Sequence, residues 1–134
     1  MYKRLTKAQF NKLKRHFSKI SSFTEEFEDF KQNVVIKYKD SFLTFMEQDL
    51  KLGMIYIEYI YTDEKSRGRG YGFILYNNLI KVAKENGVHR ITLNIRYNNP
   101  ESLALALKCG AKITGYCVYP DGMPGYELEI TVNQ

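Results

Sequence analysis

The chain has 134 residues, a mass of 15.7 kDa and a net charge of +5, with 44% hydrophobic and 26% charged residues. This composition excludes collagen-like, low-complexity and largely disordered chains, and no apolar run approaches the roughly 18 residues of a membrane-spanning helix. The length predicts a single domain over residues 1–134. No apolar segment follows the basic N-terminus, so we expect no secretory signal and a cytoplasmic protein.

The positive charge is concentrated at the N-terminus. Residues 1–20 carry seven Lys or Arg and no acid, whereas residues 21–134 carry 13 basic and 15 acidic side chains. A basic face attracts nucleic acid or an acidic protein, and it is equally the solvated side of an ordinary helix. Charge alone leaves both interpretations open.

Two cysteines, Cys109 and Cys117, are the chain's only thiols. They form no CxxC motif and have no His at metal-ligand spacing, so we expect reduced thiols and no metal site. A nucleophilic role is disfavoured for Cys109, since it falls at the C-terminus of a predicted helix, where no positive dipole activates a thiolate.

The N-terminal region predicts a short strand and two helices. Residues 2–5 are a candidate strand, and Thr6 is a suitable N-cap. The apolar residues that follow recur at three- and four-residue spacing and predict a helix with one buried stripe: Phe10, Leu13, Phe17 and Ile20. Ser22 and Glu25 have capping-box spacing. Three aromatic residues would form the buried stripe of the second helix: Phe23, Phe27 and Phe30.

In the middle of the chain, the spacing of apolar residues changes to the period that is typical of β-strands. Residues 34–36 and 42–46 predict two strands around a turn at Lys39-Asp40. After a second turn at residues 49–53, residues 54–62 predict one long central strand, because apolar residues occupy both of its faces.

The second half predicts helices alternating with strands. A helix over residues 71–85 ends at Asn86-Gly87, and residues 90–96 form another central strand. Asn99-Pro100 starts a helix that ends at Gly110. Two final strands cover residues 112–119 and 126–132. The predicted order is β-α-α-β-β-β-α-β-α-β-β, a mixed α/β domain with most strands in one sheet flanked by helices.

The segment between the long strand and its following helix reads DEKSRGRGYG, from Asp63 to Gly72. Its alternating glycines let backbone amides point inward, and the start of the helix adds unpaired amides and a positive dipole. Such a turn suits a phosphate or pyrophosphate. It is not a P-loop, since no Gly-Lys-Ser/Thr ends it, and its spacing is not the dinucleotide GxGxxG.

Arg67-Gly68-Arg69-Gly70-Tyr71-Gly72 resembles the (Arg/Gln)-x-x-Gly-x-(Gly/Ala) motif of the GNAT superfamily of acyl-CoA-dependent N-acetyltransferases. The surrounding order is similar too: a hydrophobic strand before the motif, then a helix, a strand, the helix-opening Asn99, and Gly110-Ala111. The resemblance extends over the whole chain, and residues 54–111 carry its specific part. It implies a mostly antiparallel central sheet and acetyl-CoA as cofactor.

The resemblance also implies which residues hold the cofactor. Backbone groups of Ile60, Tyr61 and Thr62 would pair with the pantetheine arm, and Asn99 would contact the same arm. The pyrophosphate would be held by backbone amides of the turn: Arg67, Gly68, Arg69, Gly70, Tyr71, Gly72 and Phe73.

Acetyl transfer needs a base, because an ammonium must lose a proton before it attacks. Glu58 is the one acid inside the predicted central strand, where burial would raise its pKa, and it is the candidate catalytic residue. The alternative is a structural carboxylate. In ribosomal-protein-type members the base position corresponds to Asn94, and the usual general-acid Tyr position is Ala106. Three tyrosines are candidate substitutes: Tyr97, Tyr116 and Tyr126.

The resemblance therefore implies an N-acetyltransferase that acts on a primary amine of a small molecule or protein by direct attack in a ternary complex. The N-terminal helices and the final hairpin would line the acceptor side. An acidic cluster there would attract a cationic acceptor: Glu25, Glu26, Glu28 and Asp29. The basic helix instead favours a nucleic-acid-linked or acidic-protein target.

Two alternatives remain open at this point. One is a catalytically weak acyl-CoA-binding or regulatory domain, and the other is a nucleic-acid-binding module whose Gly-Arg turn contacts phosphates. Pairing through terminal strands is common in this fold, so the resemblance is compatible with a homodimer and implies no membrane association.

Overall fold

The computed structural model describes residues 1–19, 23 and 25–133. Its eight strands are β1 (Lys3–Arg4), β2 (Asn33–Tyr38), β3 (Ser41–Met46), β4 (Met54–Tyr56), β5 (Tyr59–Thr62), β6 (Arg90–Arg96), β7 (Lys112–Val118) and β8 (Pro124–Thr131). The α-helices are α1 (Lys7–Phe17), α2 (Asp49–Leu52), α3 (Tyr71–Glu85) and α4 (Pro100–Lys108). Two single-turn 3-10 helices cover Phe27–Phe30 and Glu64–Ser66.

The strands form two four-stranded sheets rather than the one sheet predicted. The first has the order β1-β2-β3-β5 and is antiparallel throughout. The second has the order β4-β6-β8-β7, in which only β4 and β6 run parallel. The mixed α/β class and the mostly antiparallel strand pairing are confirmed.

Alternation along β2 and β3 gives the first sheet two buried faces. One face packs against α3 and the second sheet and contributes Val34, Ile36, Leu43 and Phe45 to the main core. The other face carries Val35 and Phe42 into a smaller aromatic core beneath α1. The first sheet is therefore the middle layer of the molecule.

The second predicted helix differs from the structure. Of its described residues, only Phe27–Phe30 are helical, as a 3-10 turn. Its predicted cap Ser22 lies outside the described residues, as does Ile20 of the first predicted helix. Phe23, Phe27 and Phe30 surround Phe10, with ring centroids 5.2–5.8 Å away. Packing around one ring, rather than a continuous helical stripe, sets the path of this segment.

The long central strand predicted for residues 54–62 is in fact two strands. β4 pairs with β6 in the second sheet, and β5 pairs with β3 in the first. Ile57 and Glu58 lie between them and belong to neither strand. The sequence pattern could not reveal the break, because the strand periodicity continues unchanged across Ile57 and Glu58.

The remaining elements follow the sequence closely. The Thr6 side chain accepts the Gln9 amide proton at 3.1 Å and caps α1, and Gly87 ends α3 with a φ of 70°. The predicted turn at residues 49–53 contains the single helical turn α2. In the part of the chain that is described, no helix has the length and apolar character needed to cross a membrane.

Candidate active site

A cleft of about 460 Å³ lies where the two sheets separate. Its walls come from residues 56–60 on one side and residues 93–96 of β6 on the other. β5 is the edge strand of the first sheet, and β6 extends beyond β4 in the second, so both walls present strand edges to the cleft. An extended ligand could bind there by adding to these edges.

Glu58 lines this cleft at the point where the two sheets diverge. Its amide donates to the carbonyl of Thr44 in the first sheet, at 2.9 Å. Burial raises the pKa of Glu58, and the nearby carboxylates of Glu25 and Asp49 raise it further. Because a carboxylate with a raised pKa is a better proton acceptor than an ordinary one, Glu58 is suited to general-base chemistry.

Asn33 lies beside Glu58 and has the opposite effect on the pKa of that carboxyl group. Its amide favours the charged carboxylate and so lowers the Glu58 pKa. The Asn33 side chain is buried, with 3% of the residue exposed, yet its Nδ2 makes no full hydrogen bond within the described chain. The Asn33 amide therefore acts on Glu58, and Asn33 itself is not among the residues that line the cleft.

One end of the cleft is aromatic and acidic. The hydroxyl of Tyr59 donates to Glu25 Oε2 at 3.1 Å, and the ring of Phe17 packs 4.9 Å from the ring of Tyr59. Burial and then the charge of Glu25 raise the pKa of Tyr59, which keeps this phenol neutral. Phe17, Glu25 and Tyr59 thus form one wall.

The glycine turn begins at the opposite end of β5. Gly68 and Gly70 have φ values of 80° and 79°, the left-handed conformation that glycine adopts without strain. Gly70 is the N-cap of α3 and offers no side chain to its first amides. Ile74 N–H is the first helix amide bonded to the turn, at 3.3 Å from Gly70 O. The three preceding amides have no acceptor within the helix and can bind an anion.

Gly72 has a different role from its neighbours. A Cβ added there would lie 2.6 Å from Leu105 Cδ2, so this glycine lets α3 approach α4 closely. In the sequence, Gly72 is recognisable only as part of the predicted phosphate turn. The structure shows that it also has a packing function.

The glycine turn is held from both sides. The buried hydroxyl of Ser66 donates to Asp40 in the β2–β3 turn. The Tyr71 ring packs 5.2 Å from the Tyr38 ring, and Lys39 Nζ lies 5.5 Å from the Tyr71 ring centroid. Lys39 is therefore a further cation near the start of α3, one that the sequence analysis did not identify.

Asn99 reaches the cleft at the start of α4. Its Oδ1 accepts the Ser102 amide proton at 3.3 Å, which caps the helix. Of the predicted cofactor residues, Ile60 and Asn99 line the cleft together with Glu58, whereas Tyr61, Thr62 and the glycine turn lie outside its lining. Thr62 connects the two regions, since its carbonyl accepts from Arg67 Nε at 3.3 Å.

The β7–β8 turn closes another side of the cleft, as the family resemblance implied. Arg96 Nη1 lies 2.8 Å from Asp121 Oδ2, and its guanidinium lies 4.2 Å from the Tyr119 ring centroid. Tyr119, Pro120 and Asp121 all line the cleft. The positive charge of Arg96 is therefore paired with the carboxylate of Asp121 within the site.

The usual acid position, Ala106, is completely buried in the core, whereas Asn94 lines the cleft. The three candidate substitutes lie outside it: Tyr97 and Tyr116 each pack against the ring of Tyr126. Four other tyrosines line the cleft: Tyr56, Tyr59, Tyr76 and Tyr119. Periodicity could not identify them, because their convergence depends on how the two sheets separate.

Neither cysteine belongs to the cleft lining. Burial raises the pKa of Cys109 and of Cys117, so both thiols are less ionised than an ordinary cysteine. Across residues 1–19, 23 and 25–133, no three metal-ligating side chains gather into a candidate metal site.

The basic helix α1 packs beside β5 and the glycine turn. Lys12 Nζ lies 3.6 Å from Asp63 Oδ2, and the His16 ring lies 5.6 Å from the ring of Tyr61. Burial lowers the pKa of His16, and the charges of Arg67 and Lys19 lower it further. Part of the N-terminal charge thus lies beside the start of the glycine turn, a placement that the sequence alone could not decide.

The sequence profile of the Acetyltransferase (GNAT) family matches residues 10–111. No protein of curated function matches the sequence. The fold is similar to that of the ribosomal-protein-S18-alanine N-acetyltransferase from Escherichia coli, with 15% identity and a TM-score of 0.74 over 100% of this chain and 94% of that chain.

Two further solved structures have similar folds. An IAA acetyltransferase from Bacillus cereus has 16% identity and a TM-score of 0.73 over 98% of both chains. A Bacillus subtilis acetyltransferase in complex with CoA has 17% identity and a TM-score of 0.63 over 75% of this chain and 76% of that chain. The likeness in fold agrees with the family profile, which covers most of the sequence. This chain belongs to the acetyltransferase (GNAT) family.

Proposed function

We propose that this protein transfers the acetyl group of acetyl-CoA to a primary amine, by direct attack in a ternary complex. The observation that carries the proposal is the position of Glu58, a carboxylate with a raised pKa at the divergence of the two sheets, in a cleft whose β5 wall leads to the glycine turn. We treat residues 1–134 as one N-acetyltransferase domain.

The glycine turn and the start of α3 fit the pyrophosphate of CoA. The left-handed Gly68 and Gly70 and the free amides of the first α3 turn form a concave set of donors without a capping side chain. We assign this role to the backbone from Arg67 to Phe73. Arg67 and Arg69, both exposed, add positive charge beside it.

The strand edge of β5 fits the amide-containing arm of the cofactor. Ile60, Tyr61 and Thr62 belong to this edge, and we assign them backbone hydrogen bonds to the arm. Asn99, whose Oδ1 is occupied in capping α4, retains its Nδ2 as a donor for the same ligand.

When bound, acetyl-CoA supplies an activated acetyl group whose carbon–sulfur bond breaks as the new amide bond forms, with CoA leaving as its thiol. Glu58 accepts the proton that the acceptor ammonium must lose before its nitrogen can attack. Asn33 stabilises the charged carboxylate from the other side. A dedicated acid in place of Ala106 is not required, because a thiol with a pKa near 8.5 is a fair leaving group.

A thermal-shift titration tests the cofactor assignment. Acetyl-CoA at a hundredfold excess over its Kd should stabilise the fold by about 2.7 kcal/mol, while adenosine and inorganic pyrophosphate serve as partial-ligand controls. Release of the CoA thiol in the presence of a mixture of primary amines then tests turnover. Absence of a saturable shift at millimolar acetyl-CoA would overturn the proposal, and binding without thiol release would favour the acyl-CoA-binding alternative.

We also propose that two chains pair through β7. This strand is the edge of the second sheet, and its Tyr116 and Val118 are 76% and 74% exposed. An unpaired edge with exposed apolar side chains is a common pairing surface. Light scattering coupled to gel filtration measures the mass directly, and a monomer at all concentrations would contradict this part of the proposal.

A further inference from the structure

The acceptor end of the cleft is negatively charged, in a chain whose net charge is positive. Three carboxylates line the cleft, from Glu25, Glu58 and Asp121, and Arg96 is the one cation among the lining residues. Arg96 is already paired with Asp121 at 2.8 Å. Neither Glu25 nor Glu58 has a Lys, Arg or His partner in the described chain, so two carboxylates remain to meet a ligand.

Only one carboxylate of the predicted acidic cluster enters the site. Asp29 caps the 3-10 turn by accepting the Glu26 amide proton at 2.8 Å, and Glu26 lies 3.9 Å from Lys14 Nζ. Glu28 is exposed and outside the cleft lining. Glu25 alone of the four faces the cleft, where the Tyr59 hydroxyl orients its carboxylate.

The position of Glu25 separates it from the glycine turn, where the phosphates of the cofactor are assigned. It lies at the Tyr59 end of β5, whereas the glycine turn follows the Thr62 end. Tyr59 and Thr62 are three residue steps apart along the extended strand, a span of roughly 10 Å at about 3.3 Å per residue. Glu25 is therefore poorly placed to serve the phosphates. In the proposed transfer it accepts no proton, and its charge acts only by raising the pKa of Glu58.

The walls around Glu25 are suited to an alkyl chain with a cationic end. Phe17 and Tyr59 pack their rings together 4.9 Å apart, and Tyr56 and Tyr119 line the same cleft. Aromatic faces attract cations and also cover methylene groups. Asn33 lies behind Glu58, outside the cleft lining, and its amide favours the charged form of that carboxylate, so Glu58 presents a negative charge to the same end of the cleft.

We propose that the acceptor is a small alkyl amine with a second cationic group, bound with its reacting amine at Glu58 and its distal cation at Glu25. This inference rests on the proposed acetyltransferase function and specifies its substrate class. The step is unchanged by it: the reacting nitrogen loses its proton to Glu58 and forms the amide bond, while the distal ammonium keeps its charge and is not acetylated in that binding mode.

The test compares matched acceptors. A series of α,ω-diaminoalkanes, from ethane to octane, is assayed beside n-alkylamines with the same number of carbons. We expect kcat/KM to be at least about tenfold higher for the best diamine than for its matched monoamine, the scale of one charge-assisted hydrogen bond. In Glu25→Gln this ratio should fall to near one, mainly through a higher KM for the diamine.

Glu28→Gln is the matched control, since it removes the same charge from the same segment but outside the cleft lining. It should keep the native ratio. Tyr59→Phe removes the hydroxyl that orients Glu25 while leaving the charge, and it should give an intermediate ratio. Thermal melts of the variants report whether the fold is retained, and calorimetric titration of the best diamine into the CoA complex measures binding without turnover.

The outcomes separate the substrate class from the function. Equal acetylation of diamines and monoamines, or a native ratio that persists in Glu25→Gln, would overturn the dicationic acceptor and leave the acetyltransferase proposal intact. Acetylation of lysine peptides with no preference for diamines would do the same. Absence of both acetyl-CoA binding and thiol release would overturn the two proposals together.

Discussion

Ile57 and Glu58 are consecutive in the chain, yet their amides bond to different sheets. Ile57 N–H donates to Thr92 O in the second sheet and Glu58 N–H donates to Thr44 O in the first, each at 2.9 Å. The separation of the sheets therefore occurs across a single peptide unit. It opens the cleft and brings the Glu58 side chain to its wall.

Replacement of Glu58 by Gln should lower kcat by about 100-fold or more, because the amide cannot accept the ammonium proton. The KM for acetyl-CoA should change little, since Glu58 is not among the residues assigned to the cofactor. Steady-state kinetics with the best acceptor measures both. Glu127→Gln, an exposed strand carboxylate outside the cleft lining, is the control. A Glu58→Gln variant with native kcat would exclude the general-base role.

Glu58 should also make stability depend on pH. Burial raises its pKa above the ordinary 4.5, so the folded state binds its proton more tightly than the unfolded state does. Its contribution to the free energy of unfolding is complete below about 4.5 and is lost as pH rises through the raised value. Chemical denaturation at several pH values should show a flatter profile for Glu58→Gln. A profile identical to native would mean that the carboxylate is not desolvated.

Gly72→Ala should destabilise the fold by about 1 kcal/mol, because the new Cβ forces Leu105 to move. In a Leu105→Ala background the cost of Gly72→Ala should largely disappear. Gly70→Ala is the contrasting variant: it meets no atom within 4 Å but requires a left-handed φ of 79°. Its cost, roughly 1–2 kcal/mol, should persist in the Leu105→Ala background. Urea denaturation of the five variants and the native chain completes the comparison.

Arg67→Gln and Arg69→Gln should each weaken acetyl-CoA binding roughly threefold to tenfold, with the effect shrinking as salt concentration rises. Arg67 is oriented by its bond to the Thr62 carbonyl, so its replacement should have the larger effect. Lys81→Gln removes one charge from an exposed position later in α3 and is the control. Equal affinity in all three variants would argue against phosphate binding at the turn.

The pKa of His16 should change when the cofactor binds. Burial and the charge of Arg67 lower its pKa below 6.5 in the free protein. Phosphates bound at the glycine turn would offset the Arg67 charge, so the His16 pKa should rise on addition of acetyl-CoA. NMR titration of the imidazole signals measures the change, with His89 as the internal reference. A His16 pKa that does not respond would locate the phosphates away from α1.

Local signals in the sequence were sufficient for much of this protein. The Thr6 cap, the apolar stripe of α1 as far as Phe17, the Asn86-Gly87 stop and the Asn99-Pro100 start each depend on residues within one helix. The structure has them where the spacing predicts. The same holds for the glycine turn, whose backbone conformation follows from its own residues. Glu58 could be singled out as the candidate base because an acid within a predicted apolar strand is unusual.

Only the tertiary structure determines which residues come together around Glu58. Strand periodicity is unchanged across Ile57 and Glu58, so the break is visible only when each half is paired with its own sheet. The short turn at Phe27–Phe30 depends on packing around Phe10. Glu25 and Tyr59 are separated by 34 positions in the chain and meet only after α1 packs over the first sheet. The sequence determined the local elements and the glycine turn, and long-range strand pairing made the cleft.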